Sequence, residues 1–319
     1  MTPFFSLIRY KNLLIIIFTM FMVFFCIISP ILQLFNLQMS LTGLDIAFLI
    51  LSCVFVAAGG YVINDYFDTK IDSINRPNAV LVTKDINRST AVTWHIVLSV
   101  IGCLLGFLVS IRIGIWKVGF MYPIVVGLLW YYSAVYKKMF FVGNFVVAVL
   151  TALIVVLPAV YEIPGLSANT SEVIQYGALD PYLILYQSSV LALFAFMTTL
   201  IREIIKDMED CEGDSSQGAS TMAIVLGVKK TKIVVAVLLV LTILGLIFLM
   251  LNYLPEVLTY FYISIAVVLP LCFCLVKLLK AKTKNDFHFC STLMKLIMLS
   301  GILYLFIMRY NFLNFKSEF

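Results

Sequence analysis

Two short windows hold more than half of the acidic side chains in this sequence. Asp65, Asp68 and Asp72 fall in "DYFDTKID"; Glu203, Asp207, Glu209, Asp210, Glu212 and Asp214 fall in "EIIKDMEDCEGD". Together they are nine of 17 carboxylates. The spacing D-x-x-D-x-x-x-D occurs in both, at Asp65, Asp68 and Asp72 and again at Asp207, Asp210 and Asp214. Offsets of three and seven share one face of a helix, so each window points three carboxylates the same way. Like charges so spaced repel, and carboxylates are disfavoured at helix C-termini; a bound cation relieves both costs. Oxygen-only ligands of this kind suit Mg²⁺, which takes one or two carboxylates and completes its shell with substrate phosphates. Asn64, just before Asp65, adds a neutral amide.

Cations stand close by. Arg76 follows the first window in "NRP", Arg202 and Lys206 flank or enter the second, and Lys137 and Lys138 lie between them in sequence. A metal ion alone would be repelled by these side chains. A diphosphate bridging Mg²⁺ and Lys or Arg uses both kinds of charge. Tyr132, five residues before Lys137, is a candidate for orienting phosphate or acceptor.

The elements that must position these groups follow from composition. Hydrophobic residues are 62% and charged ones 12% of 319 residues, against about 45–50% and 25% in soluble domains. Polar side chains are too few to cover a soluble globule, which excludes a disordered chain, a secreted disulfide scaffold and a nucleic-acid binder. The sequence predicts an all-α polytopic membrane protein with nine spans around a central cavity, near 12–35, 43–62, 92–111, 115–135, 142–161, 182–201, 233–252, 257–279 and 291–311. The first run lacks an A-x-A cleavage site and is expected to be a retained helix rather than a signal peptide. The windows then close the second and sixth spans, in cytoplasmic connections 62–91 and 202–232 of a single unit, 1–319.

Lys and Arg favour the cytoplasmic side. With the N-terminus inside and the C-terminus outside, eighteen of 22 basic residues face the cytoplasm, leaving Arg112, Lys117, Arg309 and Lys316 outside. The expected location is the inner membrane, with the acidic windows facing the cytoplasm. Seven cysteines, none in a C-x-x-C pair, sit mostly in apolar runs and read as small hydrophobes.

"NDYFDTKIDSINRP" and "REIIKDMEDCEGD" resemble the two aspartate-rich motifs of the UbiA superfamily of intramembrane prenyltransferases, and nine spans with motifs closing the second and sixth match that family. The resemblance implies transfer of a polyprenyl group from its diphosphate to a lipophilic acceptor, with Mg²⁺ at the motifs. On it, Asn64, Asp68 and Asp72 match the first motif and Asp207, Asp210 and Asp214 the second, with Asp65 a further metal ligand. Asp68, Asp72, Asp207, Asp210 and Lys137 become the expected catalytic set. Arg76 and Lys137 look like diphosphate contacts, and Tyr132, Arg202 and Lys206 join them in substrate binding. The second motif is worded most like the digeranylgeranylglyceryl phosphate synthase branch, which implies geranylgeranylglyceryl phosphate as acceptor; an aromatic acceptor of quinone synthesis is the alternative. Two positions depart from the pattern: Ala79 and Val80 follow Asn78 where a second Arg-Pro is common, and Ser220 precedes Thr221 where Lys is common.

Three further readings complete the sequence picture. His95, beside Trp94, reads as part of an interfacial aromatic belt. Asn144 and Thr151 either line the cavity or bond neighbouring helices. A divalent-cation transporter is a remote alternative, disfavoured because both acidic windows lie at one face whereas ion paths place sites near the midplane.

Overall fold

A computed structural model describes residues 3–75, 81–169 and 182–315. Among them run nine principal helices: α1 (Tyr10–Leu34), α2 (Gly43–Asn75), α3 (Arg88–Arg112), α4 (Met121–Ala134), α5 (Val142–Asn169), α6 (Tyr182–Glu209), α7 (Val228–Tyr253), α8 (Val257–Lys280) and α9 (Lys284–Phe315). No strand occurs among the described residues. Large apolar side chains such as Leu104, Leu251 and Val257 stay exposed, as expected of a surface solvated by lipid.

Eight of the nine helices are long and apolar enough to cross a membrane. The exception is α4, the expected span at 115–135, which is a 3₁₀ turn, Trp116–Phe120, followed by 14 α-helical residues. The two pieces together rise about 31 Å, close to the thickness of a hydrocarbon core.

Several helices outrun their apolar stretches. No Gly or Pro interrupts residues 61–75 or 202–209, so α2 continues as helix straight through the first acidic motif and α6 continues into the second as far as Glu209, where a bend at Asp210 leads to the short helix Cys211–Ser216. The segments read as cytoplasmic connections from 62 and from 202 therefore begin as helix, and helix geometry aims their carboxylates. α5 likewise runs past 161 and carries Glu162 into the bundle. That carboxylate is fully buried and accepts from the backbone N–H groups of Ser40 and Leu41. It lies one residue past the expected fifth span, 142–161, where the sequence gives no sign of burial.

α1 and α8 each contain one π-helical turn, Phe24–Ile28 and Ser264–Val268, ahead of Pro30 and Pro270. A helical proline clashes with the carbonyl four residues back; here that carbonyl belongs to Cys26 or Ala266, inside the widened turn.

α2 packs closely on α3. A Cβ on Gly59 would lie 2.7 Å from Ser99 Oγ and 3.3 Å from the His95 carbonyl oxygen, so a glycine here eases the close approach. There the His95 ring nitrogen Nδ1 bonds the Gly59 carbonyl oxygen at 2.9 Å. His95 is buried and ties two helices together, while Trp94 beside it is exposed. The interfacial-belt reading of His95 is thus corrected, because an imidazole one residue round the helix from an exposed Trp faces the neighbouring helix.

Candidate active site

α2 presents Asn64, Asp68 and Asp72 at intervals of four, one face of the helix. α6 and the turn beyond it present Glu203, Asp207, Asp210 and Asp214 at intervals of four, three and four. Both faces line one polar cavity of about 50 Å³, joined by Lys206, Tyr132 of α4, Lys137 of the 3₁₀ turn Tyr136–Lys138, Gly143 and Asn144 of α5, and Arg9. Six carboxylates face three cations, a formal net of −3.

Local structure explains how each group arrives. Arg9 holds a left-handed backbone conformation, φ 50°, between the short turn Pro3–Leu7 and α1. Its guanidinium donates to Asn64 Oδ1 at 3.2 Å and to Asp65 Oδ1 at 2.7 Å, and lies over the Tyr61 ring. The Asn64 Nδ2 is buried and without a hydrogen-bond partner.

Lys137 is placed by the start of α5. A Cβ on Gly143 would lie 2.8 Å from the Tyr136 carbonyl oxygen and 2.9 Å from Lys137 Cα, so glycine allows the lysine turn to seat there. The Ser220 N–H donates to the Lys138 carbonyl at 2.7 Å, tying the segment after the second motif to the same turn. The Lys137 ammonium then bonds Asp68 Oδ2. On α5, Asn144 Nδ2 donates to Asp207 Oδ2 at 2.8 Å.

The surroundings set the charges. Burial, opposed by Lys137 and reinforced by Asp210, pushes the Asp214 carboxyl up to about 6. Burial and then the neighbouring Asp68 raise Asp72 as well. Burial pulls the Lys137 ammonium down, but Asp68 outweighs it and the net shift is upward. The lysine stays charged.

The donor set fits Mg²⁺. It is all hard oxygen, distributed over two helices, and among the described residues no three His, Cys, Asp or Glu side chains converge tightly enough to enclose an ion by themselves. An ion that takes one or two carboxylates and fills its shell from substrate phosphate needs no tighter cage.

Of the residues singled out from sequence, Asn64, Asp68, Asp72, Tyr132, Lys137, Lys206, Asp207, Asp210 and Asp214 all line the cavity. Asp65 does not. One residue round the helix from Asn64, it points off that face and pairs with Arg9. Arg202 does not line the cavity either; it pairs with Glu203. Arg76 lies outside the described residues. Sequence reading passed over Arg9, which looked like an ordinary cytoplasmic anchor, and Glu203, whose signal was its position four residues before Asp207. Asn144 falls on the cavity side of its two readings, whereas Thr151 Oγ1 only bonds the Val147 carbonyl of its own helix.

A relative from Methanosphaera stadtmanae named digeranylgeranylglyceryl phosphate synthase is 34% identical over 191 residues, covering 60% of this chain and 61% of its own. The chain thus spans about three fifths of the length of that curated relative. A solved structure described as concerning digeranylgeranylglyceryl phosphate synthase in membranes superposes with a TM-score of 0.64 at 23% identity, covering 95% of this chain and 97% of the other. A UbiA homolog from Archaeoglobus fulgidus, solved bound to GPP and Mg²⁺, superposes with a TM-score of 0.55 at 16% identity, covering 95% and 99%. At those identities the structural matches establish the shared fold. The family model for UbiA prenyltransferases matches residues 22–299, and on that match the chain belongs to the UbiA prenyltransferase family.

Proposed function

We propose that this protein transfers a polyprenyl group from a prenyl diphosphate to geranylgeranylglyceryl phosphate, forming an ether at the polar cavity. The observation that carries the reading is the meeting of two carboxylate faces, from α2 and α6, with Arg9, Lys137 and Lys206 in one cavity. Carboxylates alone suit a cation and cations alone suit an anion; a metal-bound diphosphate takes both. Asp68 and Asp72 on one side, and Asp207, Asp210 and Asp214 on the other, are the residues that would hold Mg²⁺. Bound there, Mg²⁺ supplies charge neutralisation at the departing diphosphate. Lys137 exchanges its contact with Asp68 for a diphosphate oxygen, and Arg9, Lys206 and the unpartnered Asn64 amide donate to the remaining phosphate oxygens. Arg76 keeps its expected role as a further diphosphate contact. Tyr132 borders the reacting end of the donor, and the apolar helices around it exclude water.

The membrane arrangement belongs to the same reading. The piece Trp116–Ala134 makes the ninth crossing, the N-terminus is cytoplasmic and the C-terminus outside, and the cavity opens to the cytoplasm across the inner membrane as one unit of the whole chain. The basic bias supports this. At the other end, Asp45 is engaged by Arg112 and Glu162 by backbone N–H groups, which takes these two carboxylates out of any ion path. The acceptor assignment is supported by the wording of the second motif and by the relatives named for digeranylgeranylglyceryl phosphate.

The test is direct. Purified protein with Mg²⁺ and labelled geranylgeranyl diphosphate is offered geranylgeranylglyceryl phosphate, 4-hydroxybenzoate and dihydroxynaphthoate, with products read by mass spectrometry. The ether is expected to form fastest. Ring alkylation alone would reassign the acceptor, and no consumption of the diphosphate in any arm would overturn prenyl transfer.

A further inference from the structure

The cavity holds one carboxylate that the two metal-facing sets do not account for. Glu203 stands four residues before Asp207 on α6, a helical rise of about 6 Å, and about 10 Å before Asp210. On α2, Asn64 stands the same distance before Asp68. Glu203 and Asn64 therefore form a tier deeper in the helices than the aspartates, with Tyr132 beside it. Glu203 and Tyr132 line the same cavity. Arg202 donates to Glu203 Oε1, which anchors the carboxylate and leaves Oε2 without a hydrogen bond among the described residues.

Resting on the prenyl-transfer reading, we infer that Glu203 is the proton acceptor for the attacking hydroxyl of the acceptor substrate. A diphosphate held by the aspartates and cations directs its prenyl chain toward the apolar interior, so the carbon bearing the leaving group lies on the deeper side. With Asn64 marking the inner end of the diphosphate, the acceptor oxygen approaches that carbon from the side opposite the leaving oxygen, where Glu203 is the carboxylate at the same depth. The bond from C1 to the diphosphate oxygen breaks and its electron pair leaves with the diphosphate. A lone pair of the acceptor hydroxyl forms the new C1–O bond. As that oxygen turns positive its proton becomes strongly acidic and passes to Glu203 Oε2, which returns it to solvent when products leave. Asp207, the nearest alternative on α6, belongs to the set that would hold Mg²⁺ and has Oδ2 engaged by Asn144.

The experiment separates departure of the diphosphate from capture of the carbon. Full-length wild type, E203Q and E203D are given Mg²⁺ and geranylgeranyl diphosphate carrying ¹⁸O in the bridging position. Scrambling of the label reports C–O cleavage and return; ether product reports capture. In E203Q scrambling is expected to persist at close to the wild-type rate while ether formation falls about 10²–10⁴-fold, the range for loss of a general base. E203D, which keeps a carboxylate, is expected to recover part of that loss. Ether formation by E203Q near the wild-type rate would overturn the assignment. So would parallel loss of scrambling and ether in both E203Q and E203D, which would place Glu203 in donor binding or structure. Failure of the underlying reading looks different: wild type itself would not scramble the label, or would scramble it and alkylate only an aromatic ring. In the latter case the same pair of rates, read on the ring product, decides whether Glu203 takes the ring proton.

Discussion

Lys137 and Asp68, 69 residues apart in the chain, form an ion pair across the cavity that joins the turn before α5 to the first acidic face on α2. Each gives the other an opposite charge where a buried ionic group would otherwise stand unpaired. A metal at Asp68 and a phosphate at Lys137 would replace this one contact by two of the same sign pattern, so the pair holds both groups in position between turnovers.

Neighbouring aspartates should therefore separate cleanly. D68N is expected to lower kcat/KM for prenyl transfer about 10²–10³-fold, the scale for loss of one preorganised electrostatic partner, in addition to the stability lost with its contact to Lys137. D65N should show a stability loss alone, about 1–3 kcal/mol through the lost charged hydrogen bond to Arg9, while retaining Mg²⁺-dependent turnover. Equal loss of activity in both would show that Asp65 belongs to the metal set after all.

Gly143 offers a steric test of Lys137. G143A puts a Cβ against backbone atoms of Tyr136 and Lys137, so the lysine turn itself must move. Misplacement of a catalytic group by about 1 Å costs on the order of 10²-fold, and the loss should fall mainly on KM for the diphosphate. Unchanged kinetics in a folded G143A would mean that the seat of Lys137 is not critical.

Acid should weaken the metal site in a defined window. The Asp214 carboxyl is raised to about 6 and Asp72 is also raised. Their protonated forms thus favour the folded, metal-free protein at low pH; for Asp214 this advantage is complete below about 4 and lost as pH rises through about 6. Mg²⁺ requires the ionised forms and must displace those protons. Stabilisation by Mg²⁺ in a thermal unfolding titration should be full above pH 7, and its half-saturation concentration should rise up to about tenfold per pH unit below 6. D214N should bind Mg²⁺ more weakly at neutral pH and show a flatter profile. A half-saturation concentration independent of pH between 5 and 7.5 would sink this account.

Topology can be read by labelling. In a cysteine-depleted background, cysteines at Ser73 and Ser216 should react with a membrane-impermeant maleimide only from the cytoplasmic side, and one at Ser167 only from outside. Reaction of Ser73→Cys and Ser216→Cys from opposite faces would be incompatible with one shared cavity.

Composition and apolar run length were enough to determine a helical membrane protein, because a bilayer accepts few other backbones. Repeated carboxylate spacing was enough to locate two motif faces, because helix periodicity converts spacing into direction. Asn64, Asp68, Asp72, Asp207, Asp210 and Asp214 were legible for that reason. Partnership was not. Whether Asp65 turns to a metal or to Arg9, whether Asn144 faces Asp207 or another helix, and which lysine meets Asp68 depend on contacts between residues 55 to 69 positions apart. Helix ends were equally hidden: hydropathy stops where charge begins, but backbone hydrogen bonding carries α2, α5 and α6 onward through charged residues that no Gly or Pro interrupts before Asn75, through a proline at 164, and to Glu209. Tertiary packing alone decided that the two continued ends, Arg9 and the lysine turn enclose a single cavity, since which helices touch is set by side chains meeting across the bundle and not by the order in which the chain supplies them.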